Sequence, residues 1–154
     1  MENKNEDIIE LMKGYELVLK DLYKLFSEKI PEEKEFWLRL SEEENKHAYW
    51  LEVLGINIEK KNISLNGDNR FNLPLIKSSI NHINESLDDF NKMELGLFDA
   101  LTFARDMENS MIEKKFFEVF YGINDDFDRV MKLLKEETEE HRKRIEEKLN
   151  EIEL

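Results

Sequence analysis

SEEENKHAYWLEVL, residues 41–54, is the stretch from which the rest of the chain can be read. Wound as a helix at about 100° per residue, Phe36, Leu40, Glu44, His47, Leu51 and Leu54 fall on one stripe. A carboxylate and an imidazole therefore stand where core residues belong. Both are costly to bury unless something pairs with them, and Glu-x-x-His facing the inside of a helical bundle is half of a two-metal carboxylate site. A lone Glu-x-x-His is common by chance in a chain with 36 acidic residues, where it usually lies on a solvated face. Its meaning depends on whether other helices supply partners.

Composition sets the class. The 154 residues make one domain, 1–154, long enough to bury a full core. Charged residues are 38 % and hydrophobic ones 40 %, with five Gly and two Pro, which suits long amphipathic helices and an all-α fold. The absence of cysteine removes disulfides and thiolate metal sites. With 23 basic and 36 acidic residues the net charge is 23 − 36 = −13, which repels nucleic acid and anionic membranes and concentrates cations. The N-terminal MENKNEDIIELMKG has no apolar signal core and no run approaches the ~18 apolar residues of a membrane span, so a cytoplasmic protein is expected.

From Glu6 to Lys29, Ile9, Met12, Leu19, Tyr23 and Phe26 recur at helical spacing, and Glu16 fills the gap in that stripe. Ile30-Pro31 ends this helix, because the residue before proline is pushed out of the α region, and Glu32 and Glu33 follow in the first turn of the next. The first two helices are thus an antiparallel hairpin in which Glu16 faces Glu44. Gly55 is placed to cap the second helix after Leu54, and residues 56–72 read as a crossover loop. Leu73 to Phe90 reads as a short helix in that crossover, with Ile76, Ile80, Ile83 and Leu87 in phase and His82 off the line, solvated or locally bonded. Met93 to Ile123 is expected as a third long helix with Leu97, Leu101, Ala104, Met111, Phe116 and Val119 inside, and Glu108 in that stripe. Asn124-Asp125 then starts a last helix carrying Phe127, Met131, Leu134, His141, Ile145, Leu149 and Ile152 in phase.

The two halves share a layout. Glu16 precedes Glu44 by 28 residues and His47 by 31, while Glu108 precedes Thr138 by 30 and His141 by 33. This predicts a duplicated helical hairpin forming a four-helix bundle with approximate two-fold symmetry.

These residues resemble the rubrerythrin branch of the ferritin-like superfamily. Glu16 matches the single Glu of the first helix, Glu44 and His47 the first Glu-x-x-His, Glu108 the single Glu of the third helix, and His141 the second histidine. ALTFARDMENSMIEKKFF is similar to that family's third helix and YELVLKDLYKLF to its first. The resemblance implies a ferritin-like antiparallel four-helix bundle with a long crossover, and a centre of two iron ions, with manganese or zinc as alternatives. It further implies peroxide or dioxygen reduction, or ferrous iron oxidation.

The chain departs from that pattern at Thr138, where the family has a bridging glutamate, and at Met111, where it has a further one. Glu137 is the natural substitute for the carboxylate missing at Thr138, although it is rotated ~100° around the helix. The family's rubredoxin-like domain, with its four cysteines, is lacking, so electrons would come from a separate donor. Bundles of this family commonly pair, and a homodimer using aromatics such as Trp37 and Phe90 is expected. The candidate metal set is Glu16, Glu44, His47, Glu108, Glu137 and His141. The alternative is a non-catalytic bundle, with one metal or none, acting as a scaffold. The orientation of Glu137 discriminates the two, because the first needs it to point inward.

Overall fold

The computed structural model describes residues 4–60, 73–110 and 125–153, and among them it is all-helical with no strand. Helix α1 (Lys4–Lys29) is followed by a single 3₁₀ turn at Pro31–Glu33 and by α2 (Lys34–Lys60). Then come α3 (Leu73–Lys92), α4 (Leu97–Glu108) and α5 (Asp125–Glu153). The main packing is α1 on α2, with α3 laid along α1 and α5 against both α4 and α2. No helix among the described residues is long and apolar enough to cross a membrane.

The α1–α2 corner is set by Pro31. Ile30 leaves the helical region (φ −125°, ψ 72°), its N–H still bonded to Phe26 O at 2.9 Å, and Pro31 opens the next turn. The inner stripes then face each other, with Met12, Leu19, Tyr23 and Phe26 of α1 and Leu40, Leu51 and Leu54 of α2 buried.

Gly55 does not cap α2, which runs on to Lys60. A Cβ at Gly55 would lie 3.1 Å from Ile9 Cγ2, so this glycine lets α1 and α2 approach closely, and residues 56–60 are helix instead of loop. The third long helix also differs from expectation. Residues 93–96 are not helical, and α4 starts behind Gly96. It ends at Glu108, where Asn109 N–H bonds Arg105 O at 2.9 Å and Ser110 N–H bonds Met107 O at 3.1 Å. Ser110 Oγ is held by Tyr15 OH at 2.9 Å, so polar Asn109-Ser110 turns the chain just past Glu108. The expected inward positions Met111, Phe116 and Val119 and the cap at Asn124 lie outside the described residues.

An aromatic layer joins four helices at one end. Phe26 of α1 meets Trp37 of α2 edge-on at 4.9 Å and Phe90 of α3 at 5.6 Å, and Phe90 meets Phe103 of α4 at 5.1 Å. Trp37 is fully buried and Phe90 half-buried, so neither is the exposed pairing surface expected of it. Trp37→Ala is expected to cost about 3–5 kcal/mol, a drop in Tm of roughly 6–20 °C in a thermal melt. Trp37→Phe, which also removes an indole N–H lacking a hydrogen-bond partner among the described residues, should lose much less.

Candidate metal centre

Beside this aromatic layer the inner stripes of α1, α2, α4 and α5 turn polar at matching depth. Glu16 (2 % exposed), Glu44 (1 %), His47 (1 %), Glu108 (6 %) and His141 (0 %) form one buried cluster. Each sits in an otherwise apolar helical stripe, so ordinary core packing drives the charged groups together.

Glu44 is at the centre. Its Oε1 lies 2.9 Å from His141 Nδ1 and its Oε2 3.3 Å from His47 Nδ1. His47 Nδ1 is also 3.6 Å from Glu16 Oε2, and His141 Nδ1 is 3.5 Å from Glu108 Oε1. The two imidazoles stack at 5.2 Å and 22°. Two sets of potential ligands result, Glu16/Glu44/His47 and Glu44/Glu108/His141, with Glu44 common to both. In each set the ligand atoms lie within 4.8 Å of one another. A third set, His47/Glu137/His141, includes the half-buried Glu137.

Glu137 turns toward the cluster but stops at its outer edge, against the outward nitrogen of His47. Its Oε2 accepts a hydrogen bond from His47 Nε2, and its Oε1 accepts one from Lys46 Nζ at 3.1 Å. Thr138 turns its hydroxyl back onto its own helix, bonding Leu134 O at 2.8 Å. All six residues proposed from the sequence are thus brought into one region.

Glu43 was not among them. Its Oε2 accepts from His141 Nε2 at 3.1 Å and from Arg144 Nη2 at 2.6 Å. The signal that could have found it is the internal repeat. Glu43 stands to His47 as Glu137 stands to His141, each four residues ahead. Tyr23 donates from its hydroxyl to Glu108 Oε1 at 2.6 Å, and Tyr49 is exposed.

Burial disfavours every charge in the cluster, and pairing decides which charges survive. Burial pushes the Glu44 carboxyl up, but hydrogen bonds with Glu16, His141 and His47 outweigh it and hold the group well below 4.5. Burial likewise opposes protonation of His141, yet Glu108, Glu43 and Glu44 hold its imidazolium well above 6.5. His47 is raised in the same way, against burial, by Glu44 and Glu137. Glu43 is pulled against burial to about 2 by His141 and Arg144, and Glu137 is lowered by His47 and Lys46. Glu108 goes the other way, raised by burial and by the Glu44 charge. Burial, then Glu108 and Glu44, also raise the Tyr23 hydroxyl.

A pH profile of the metal-free protein follows. Stability from Glu44 and Glu43 is present above 4.5 and lost as pH falls through their lowered values. Stability from His47 and His141 is full below 6.5 and lost as pH rises through their raised values. Glu108, a raised acid, loses its contribution as pH rises from 4.5 through its raised value, which draws the stability maximum toward the acid side. Tm in chelator should therefore peak between about 4.5 and 6.5 and fall on both sides. A Tm that climbs steadily above 6.5 would contradict these assignments.

Compared with protein-family models, curated proteins and solved structures, the chain matches none. The cluster is therefore interpreted on its own geometry. Buried carboxylates and imidazoles grouped in this way on helices can hold a metal ion.

Proposed function

We propose that this is a metal-binding protein of the ferritin-like, rubrerythrin type. In this reading α1, α2, α4 and α5 form a four-helix bundle around a centre for divalent ions, with iron foremost, and α3 lies in the crossover. The observation that carries it is Glu44, a buried carboxylate whose two oxygens face two different histidines and which belongs to two ligand sets at once. That is the position of a bridging ligand.

The donor atoms fit such ions. Glu108 Oε2 is buried with no hydrogen-bond partner among the described residues, and Glu44 Oε2 and His47 Nδ1 meet each other only in a long 3.3 Å contact. Metal coordination would satisfy them, removing a cost of about 1–3 kcal/mol for each unmade bond. Carboxylate oxygens with imidazole nitrogens and no thiolate suit iron, manganese or zinc in the divalent state. One position would be held by Glu16, Glu44 and His47, the other by Glu44, Glu108 and His141, with Glu137 on the solvent side.

Ferrous ions bound there would supply electrons for reducing peroxide or dioxygen. The chain's own part is binding and orientation. Tyr23 fixes the rotamer of Glu108 through its hydroxyl, and the apolar stripes above and below the cluster exclude water. Lacking cysteine, the chain would draw reducing equivalents from a separate donor.

Thr138 favours a second reading, a bundle whose site keeps one ion or none and serves as scaffold, because its hydroxyl is engaged by Leu134 O. Anaerobic loading with ferrous iron, desalting and elemental analysis separate the two. Retained iron that peroxide then oxidises supports the metal-centre proposal. Failure to retain iron, manganese or zinc overturns it.

A further inference from the structure

We infer that Glu43 and Glu137 are a matched pair of positioning carboxylates, each reaching across to hold the histidine of the opposite helix with Nδ1 turned into the cluster. The purpose of that positioning rests on the metal-binding proposal above, whereas the cross-helix clasp itself is independent of it. Glu43 on α2 accepts from His141 Nε2 at 3.1 Å and Arg144 Nη2 at 2.6 Å, both on α5. Glu137 on α5 accepts from His47 Nε2 and, at 3.1 Å, from Lys46 Nζ, both on α2. Each outer carboxylate thus grips one histidine and one cation of the other helix.

The symmetry is that of the sequence. Glu137 follows Glu43 by 137 − 43 = 94 residues and His141 follows His47 by 141 − 47 = 94. Glu137 is therefore the counterpart of Glu43 in the repeat, whereas Thr138 is the counterpart of Glu44. Its nearest bond is to the outward nitrogen of His47, and the inward nitrogens face Glu44, Glu16 and Glu108. An imidazole that donates Nε2–H to a carboxylate keeps Nδ1 available for a metal and is held in one ring orientation. With side chains 20 % and 27 % exposed and cations alongside, Glu43 and Glu137 stay ionised at less cost than the buried acids.

The test uses the full-length protein with ¹⁵N-labelled histidine. In the metal-free form, proton NMR should show slowly exchanging Nε2–H signals from His47 and His141 but not from exposed His82. Glu137→Ala should remove the His47 signal alone, and Glu43→Ala the His141 signal alone. Ferrous iron titration should then give wild-type ions per chain in both variants, with affinity weakened about 10–100-fold. The corresponding Gln variants, which keep an acceptor, should fall in between. Loss of an ion per chain in Glu137→Ala but not in Glu43→Ala would make Glu137 a ligand and overturn the inference. Persistence of both proton signals, or a lowered Tm with unchanged affinity, would overturn it too. A wild type that binds no metal but shows the expected signal losses would leave the clasp standing and remove the metal-binding proposal.

Discussion

Glu44→Ala is expected to abolish metal retention at both positions and to destabilise the metal-free protein by about 3–5 kcal/mol. Both effects follow from one side chain spanning the cluster. Glu44 alone is shared by the two inner ligand sets, and it faces both imidazoles. Without it the buried His47 and His141 keep their outer carboxylates but lose the charge between them. The stability loss should shrink as pH rises through the raised histidine values, because a neutral imidazole no longer needs that charge. Glu44→Gln keeps the shape, so it should recover part of the stability and none of the metal. Thermal melts in chelator and iron per chain after desalting read the two effects separately. A Glu44→Ala protein that retains iron as the wild type does would remove Glu44 from the centre.

Thr138→Glu is expected to move two quantities in opposite directions. Thr138 occupies the repeat position of Glu44 (138 − 44 = 94), half-buried, with its hydroxyl on Leu134 O at 2.8 Å. A carboxylate there would supply a second bridging group, tightening the weaker ion by about tenfold or more, roughly 1.4 kcal/mol. In chelator the same substitution should lower Tm, since it adds an acid to a cluster that already holds Glu16, Glu44 and Glu108. If affinity and metal-free stability fell together, the position would be a packing site with no relation to the metal. Iron titration and melting of this one variant give both numbers.

Much of the cluster was legible because a polar residue inside an apolar period is conspicuous. Glu16, Glu44, Glu108 and His141 each interrupt a stripe whose neighbours are buried, and the structure buries them too. Helical periodicity reports which face turns inward, and burial follows the face. What it does not report is what lies opposite. Gly55 reads as a cap in one dimension, and its contact with Ile9 across the hairpin shows instead a close approach. Trp37 stands seven residues before Glu44, within about 20° of it around the helix, so its burial against Tyr23 and Phe26 of α1 was legible in the period even though it reads as an exposed pairing residue. Asn109-Ser110 ended α4 through backbone bonding and a contact with Tyr15 that periodicity could not anticipate. Glu43 sits beside the stripe, where a charged residue attracts no notice. Only the partner helix makes its role visible, through His141 and Arg144.

The most direct test is anomalous X-ray diffraction from crystals of the protein loaded anaerobically with ferrous iron, recorded on both sides of the iron edge. The account predicts iron peaks on either side of Glu44, one against Glu16 and His47 and one against Glu108 and His141. Full iron loading with no peak in that cluster would contradict it.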